Sequence, residues 1–123
     1  MTYSRPQALR AAALLAALLA GPTAAWAHAI LVESRPAATA SIPAGPVAFR
    51  LRYNSRIDAA RSRLTLTSPD QSQRVLPITP EGAGDVLTTT ADLQAGAYSL
   101  RWQVLAIDGH ITRGDVPFTV TPP

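Results

Sequence analysis

After residue 27, apolar and polar side chains alternate in short runs that are separated by Pro, Gly and Ser. In the clearest run, which Gly96 opens, every second side chain is apolar: Tyr98, Leu100, Trp102 and Val104. The segment 47–53 repeats the same pattern. Strict alternation over several residues is typical of a strand with one face in a core and the other in solvent. The pattern therefore predicts half-buried strands.

The same criteria predict strands over 29–32, 47–53, 63–67, 74–78, 86–90, 96–104 and 116–120. Arg35-Pro36 ends the first segment, and Pro80 to Gly84 forms a turn-rich stretch between two weaker strands. Pro117 indicates an edge position or the start of pairing. No helical period is present after residue 27. Several short strands in about a hundred residues indicate an all-β domain, an antiparallel sandwich or barrel of about seven strands.

Aromatic residues occupy alternate positions of the predicted strands. Aromatic side chains in this arrangement usually fill the space between two sheets. We therefore assign four of them to the core and not to a ligand-binding surface: Phe49, Tyr98, Trp102 and Phe118.

The first 27 residues have the three parts of a secretory signal. Arg5 and Arg10 form a positive start without acids, residues 11–20 are an uncharged apolar run, and Ala25-Trp26-Ala27 supplies small residues for cleavage. A membrane anchor would need roughly 20 consecutive apolar residues, and this run is shorter and stops at Gly21-Pro22. We expect cleavage after Ala27, which leaves residues 28–123 as one domain exported to the periplasm.

Composition narrows the function of the exported domain. Its nine arginines and eight acids give a formal charge of +1, which does not favour nucleic-acid binding. Cysteine is absent from the sequence, and the only methionine is Met1, which leaves with the signal. Because Cu(I) prefers sulfur ligands, a copper site in this domain would use nitrogen and oxygen and would favour Cu(II).

The sequence has two histidines, and both stand at positions with chemical meaning. His28 would become the first residue after cleavage and would offer its α-amine and its imidazole to one ion. Asp108 and His110 are two residues apart, so in extended backbone both side chains project from one face. Their carboxylate and imidazole can bind one ion together, or the carboxylate can orient the ring.

Three nitrogens and one oxygen suit Cu(II), and Zn(II) is the second choice for this donor set. The candidate metal ligands are therefore His28, Asp108 and His110. Their meeting requires the first strand to lie beside the 108–110 loop, which a sandwich permits but does not demand.

The chain resembles the CopC (CopC/YobA-like) family of periplasmic copper-binding proteins. The resemblance rests on His28, on Glu33-Ser34-Arg35-Pro36, on the run from Tyr98 through Trp102 and Val104 into Asp108-Gly109-His110, and on Gly114 and Phe118-Thr119-Val120. It implies a Greek-key β-barrel or sandwich of about seven strands, cupredoxin-like or immunoglobulin-like. It also implies one Cu(II) per chain, bound by the His28 amine and imidazole, Asp108 and His110.

Two departures from that family pattern matter. Some members carry a methionine-rich Cu(I) site in a central loop, but residues 68–90 contain no methionine. Some also carry an acid near the end of the second strand, where this chain reads Tyr53-Asn54-Ser55-Arg56. The chain thus resembles the members with a single Cu(II) site.

We expect a monomeric, non-catalytic periplasmic carrier or buffer of Cu(II), and the resemblance implies an inner-membrane copper transporter (CopD-like) as its partner. Two alternatives stay open. Amine and imidazole ligands also occur in copper histidine-brace oxidoreductases, and an immunoglobulin-like interaction module would need no metal. A Ser-His-Asp hydrolase is disfavoured because no nucleophile motif accompanies either histidine.

Overall fold

The computed structural model of the protein describes residues 28–123, and the predicted export signal lies outside them. Within this range the chain forms two packed sheets and one short 3-10 turn, Ala59–Arg61. The strands are β1 Leu31–Arg35, β2 Ser41–Pro43, β3 Gly45–Tyr53, β4 Arg63–Thr67, β5 Gln73–Leu76, β6 Thr79–Glu81, β7 Val86–Leu93, β8 Gly96–Leu105 and β9 Ile111–Thr121. No helix in residues 28–123 is long and apolar enough to cross a membrane.

The predicted all-β sandwich is confirmed. One sheet has the strand order β1-β3-β7-β6, and the other has the order β2-β9-β8-β4-β5. Four of the seven neighbouring pairs in these orders join strands that are not consecutive in the chain, as in Greek-key folds. Each of the seven predicted segments overlaps an observed strand.

Two three-residue strands, β2 and β6, were not predicted, and β6 overlaps the stretch predicted as a turn. A run of three residues is too short to show a period, so hydrophobic pattern cannot identify it. β2 also differs from the antiparallel expectation, because it pairs in parallel with β9. Its direction depends on how the chain crosses between sheets, which local sequence does not encode.

The inward-facing side chains of the long strands form one core. The predicted core aromatics Phe49, Tyr98, Trp102 and Phe118 are all buried. Phe118 stacks on Tyr98 at 5.6 Å between ring centroids and meets Phe49 edge-on at 5.6 Å. At the other end of the core, Tyr53 and Trp102 meet edge-on at 5.4 Å. The Phe49–Phe118 and Tyr53–Trp102 contacts join the two sheets, and Tyr98 and Phe118 stack within one of them.

Arginines occupy the outward face of β3. Arg50 and Arg52 alternate with buried neighbours and approach Glu33 on β1 at 3.7 and 3.5 Å. The pairs are solvent-accessible, so each adds at most about 1 kcal/mol to stability. Their main effect is to keep this face in water and so to define the register of β3.

Pro117 lies inside β9, which is an interior strand of its sheet. β2 pairs only with Thr119 to Thr121, so Pro117 stands just before that pairing begins. Its carbonyl accepts a hydrogen bond of 2.6 Å from the Thr39 amide. The missing N–H of proline therefore removes no bond between β2 and β9. Pro117 is neither on an edge strand nor at the start of pairing, the two roles that its sequence position predicts, because β9 already pairs with β8 from Ile111 onward.

Candidate metal centre

The hairpin between β8 and β9 carries Asp108 and His110. The Ala106 amide donates to the His110 carbonyl at 2.8 Å, and the Gly109 amide donates to the Ala106 carbonyl at 2.9 Å. Gly109 has a φ of +92°, a conformation that side chains with a Cβ rarely adopt. Asp108-Gly109 thus forms the tight turn that places the side chains of Asp108 and His110 at the surface.

Asp108 and His110 contact each other within this turn. The Asp108 Oδ1 accepts a hydrogen bond of 3.1 Å from the His110 backbone amide, and its Oδ2 lies 3.2 Å from the His110 Nδ1. The backbone hydrogen bond from His110 is the main reason why the pKa of Asp108 is lowered. The carboxylate orients the ring through Nδ1, and Nε2 is the ring nitrogen free of that contact.

The structure brings His28 next to His110. The His28 and His110 rings lie 5.1 Å apart between centroids, with an angle of 76° between their planes. The His110 and Asp108 side chains are 52% and 38% exposed, so an ion in solvent can reach them. The sequence could not predict this juxtaposition, because the residues are separated by most of the domain.

Two polar side chains that the sequence analysis did not select hold the segment after His28. The Thr112 hydroxyl donates to the Ala29 carbonyl at 2.8 Å. The side-chain Oδ1 of Asn54 accepts a hydrogen bond of 2.8 Å from the Ile30 backbone amide. The backbone amide of Asn54 donates a hydrogen bond of 3.0 Å to the Ile30 carbonyl. No motif singles out these residues, since their role depends only on which segments the fold makes adjacent.

The donors present are nitrogen and oxygen groups, the kind that Cu(II) accepts. Among the side chains of residues 28–123, no three His, Cys, Asp or Glu groups are arranged to hold a metal ion, so the structure does not show His28, Asp108 and His110 gathered as a three-ligand site. The predicted donor set includes a fourth group that is not a side chain, the amine of His28. In the uncut chain that nitrogen belongs to a peptide bond, so the full set requires cleavage. The ligand assignment therefore stays a prediction.

Comparisons with known proteins place the chain in a family. The sequence profile of the CopC domain matches residues 31–121. Protein YobA of Escherichia coli K12 is 33% identical over 114 residues, which cover 89% of this chain and 91% of the relative. Copper resistance protein C of Xanthomonas campestris pv. juglandis is 30% identical over 116 residues, with coverage of 87% and 90%.

Solved structures agree with the sequence comparisons. CopC from Methylosinus trichosporium OB3b superposes with a TM-score of 0.71 at 28% identity and covers 77% of this chain and 95% of its own. PcoC, a methionine-rich copper resistance protein from Escherichia coli, has a TM-score of 0.63 at 25% identity, with coverage of 76% and 99%. The matched profile and the two relatives together show that the chain belongs to the CopC family.

Proposed function

We propose that this CopC-family protein is a periplasmic carrier or buffer that binds one Cu(II) ion per chain through His28, Asp108 and His110. The observation that carries the proposal is the approach of the His28 and His110 rings to 5.1 Å, together with the contact between His110 and the Asp108 carboxylate. The two histidine side chains are 82 positions apart in the sequence, and both are exposed.

The two parts of the site supply different donors. After cleavage, the His28 amine and Nδ1 can bind one ion as a chelate. Both donors belong to one residue, so no conformational entropy is lost in bringing two residues together. His110 supplies a second imidazole, which Asp108 orients, and Asp108 adds an oxygen. Orientation by a carboxylate raises the basicity of a ligating ring and limits its motion.

The oxidation state follows from the absence of sulfur. Soft thiolate and thioether ligands select Cu(I), and residues 28–123 contain neither cysteine nor methionine. The related PcoC is described as methionine-rich, so the two chains differ in the ligands that they offer. Nitrogen and oxygen donors favour Cu(II), and copper exceeds nickel and zinc in affinity for such sets.

The function proposed is transport or storage of the ion without turnover. Copper is the cargo, and the carrier acts as a monomer. The resemblance to the CopC family suggests an inner-membrane transporter of the CopD type as the component that exchanges copper with it.

The decisive experiment compares two purified proteins, one that begins at His28 and one with a single glycine ahead of it. Cu(II) is titrated into both under a competing chelator, and electron paramagnetic resonance reports the ligands. We expect tight one-to-one binding by the first protein and a large loss of affinity in the second, because the extension moves the free amine away from the ring. Equal affinities would contradict the proposal.

A histidine-brace oxidoreductase is the second candidate, because a free terminal histidine beside another imidazole also occurs in such enzymes. Peroxide formation by the copper-loaded protein with a reductant separates the two. Sustained turnover would favour the enzyme, and stoichiometric binding alone would favour the carrier. If His28→Ala and His110→Ala left the copper content unchanged, a metal-free interaction module would be the better description.

A further inference from the structure

We infer that Thr112 and Asn54 are positioning residues that hold His28 beside His110 before any metal binds. Together with the two residues that they grip, they form what we call the N-terminal clasp: Ala29, Ile30, Asn54 and Thr112. The inference rests on the proposed function for the use of the site, but the clasp can be tested without metal.

The first contact of the clasp comes from β9. The Thr112 hydroxyl donates to the Ala29 carbonyl at 2.8 Å, across 83 positions of sequence. Thr112 is the second residue of β9 and follows His110 by two positions. The strand that begins directly after His110 therefore also holds the segment that contains His28. A movement of β9 would carry both histidines together.

The second contact comes from the end of β3. Leu31 and Tyr53 are the last paired residues of β1 and β3, and Asn54 continues this ladder by one step. Its backbone amide donates to the Ile30 carbonyl, while its Oδ1 accepts from the Ile30 amide. Both polar backbone groups of Ile30 are therefore held by one residue.

The third contact is apolar. Ala29 is 1% exposed and belongs to the buried core, although it lies between exposed His28 and exposed Ile30. Its carbonyl is tied to one sheet through Thr112, and the next residue is tied to the other sheet through Asn54. Residues 29 and 30 are thus hydrogen-bonded to both sheets. His28 directly precedes Ala29, so its backbone position is restricted by these contacts.

This arrangement affects metal binding through preorganisation. A free terminal residue would lose backbone freedom when it bound a metal, and that loss would lower affinity. The clasp removes this freedom during folding. Residues that orient metal ligands typically change affinity by about 10- to 100-fold when they are substituted.

The test compares substitutions at Thr112 in the protein that begins at His28. Thr112→Val removes the hydroxyl at nearly constant shape, and Thr112→Ser keeps it. We expect Thr112→Val to weaken Cu(II) binding by roughly 10-fold or more and to broaden the resonance spectrum, and Thr112→Ser to retain wild-type affinity. If Thr112 only stabilised the fold, Cu(II) affinity would not differ between Thr112→Val and Thr112→Ser in this way.

Thr121 provides a matched control on the same strand. Its hydroxyl donates to the Ile42 carbonyl at 3.2 Å, at the opposite end of β9 from His110. Thr121→Val removes an equivalent bond, and we expect unchanged copper affinity. Thermal unfolding of all three variants checks that the fold is retained.

Hydrogen exchange of the Ile30 amide in the metal-free protein tests the clasp by itself. We expect faster exchange in Thr112→Val and in Asn54→Ala than in the wild type, with unchanged exchange in β4. If Thr112→Val bound copper as tightly as the wild type, or if Thr112→Ser were equally impaired, the inference would be overturned. Failure of the wild type to bind Cu(II) would instead refute the proposed function and leave the exchange result to decide on the clasp.

Discussion

At the scale of single residues, Asp108 has the most constrained environment in the candidate site. One carboxylate oxygen accepts the His110 amide, and the other contacts the His110 ring. Hydrogen bonding from the His110 backbone amide lowers the pKa of Asp108, which favours its charged form. It can therefore balance the charge of a bound cation as well as orient a ligand.

Replacing Asp108 with asparagine tests this double role. Asp108→Asn keeps an oxygen that can accept the His110 amide but removes the charge, so we expect Cu(II) affinity to fall by about 10- to 100-fold. Isothermal titration with a competing ligand measures the loss.

Asp70→Asn is the matched control for that substitution. Asp70 accepts the Ser72 amide at 3.0 Å in a similar turn, and hydrogen bonds from Ser72 lower its pKa. It is not among the candidate ligands, so we expect its substitution to leave copper affinity unchanged. Equal losses in both variants would indicate a general effect of charge and would contradict a specific role for Asp108.

At the scale of secondary-structure elements, the pairing of β8 with β9 determines the site. Trp102 on β8 lies directly opposite Gly114 on β9. A Cβ on Gly114 would lie 2.6 Å from Cε2 and 2.9 Å from Nε1 of the Trp102 ring, which is closer than van der Waals contact allows. The absence of a side chain at Gly114 lets the indole cover β9 and pack against Tyr53.

Gly114→Ala therefore tests how the two strands are joined. We expect a loss of about 1–3 kcal/mol in the free energy of unfolding, because the indole must leave its place in the core. Urea denaturation followed by circular dichroism measures the change.

Repeating Gly114→Ala in a protein that also carries Trp102→Phe separates the clash with the indole from the other effects of alanine. Trp102→Phe removes the part of the indole that would collide, so the additional cost of Gly114→Ala in that background should be smaller. The same cost in both backgrounds would argue against the clash as the cause.

The predictability of elements depended on their length. β8 extends over ten residues, and the alternating run over 96–104 predicts its buried face residue by residue. β2 and β6 contain three residues each and were missed, since so short a segment carries no period and takes its conformation from its neighbours.

At the scale of the whole molecule, the proposed copper site joins His28, the first residue after the predicted cleavage, to the last hairpin. A ligand that binds only the folded state stabilises it in proportion to the logarithm of its concentration over its dissociation constant. Because the proposed donors of His28 and His110 are separated by 82 positions in the sequence, the proposal predicts that copper binding and folding are coupled.

We expect Cu(II) at 100 times its dissociation constant to stabilise the protein that begins at His28 by about 2.7 kcal/mol. For a domain of this size this corresponds to a rise in Tm of roughly 10 °C or more. Differential scanning calorimetry with and without Cu(II) measures it. The same protein with one glycine ahead of His28 is the control, and an equal rise in that control would contradict the proposed coupling.

The sequence by itself determined the all-β class, the long strands with their buried faces, and the chemical types of the candidate ligands. These features are local, because the period of side chains and the identity of donors are properties of short segments. The tertiary structure alone decided that His28 lies beside His110, and that Thr112 and Asn54 hold the residues after it. Those contacts join segments far apart in sequence, and they depend on the order of strands in the two sheets, which hydrophobic pattern does not specify.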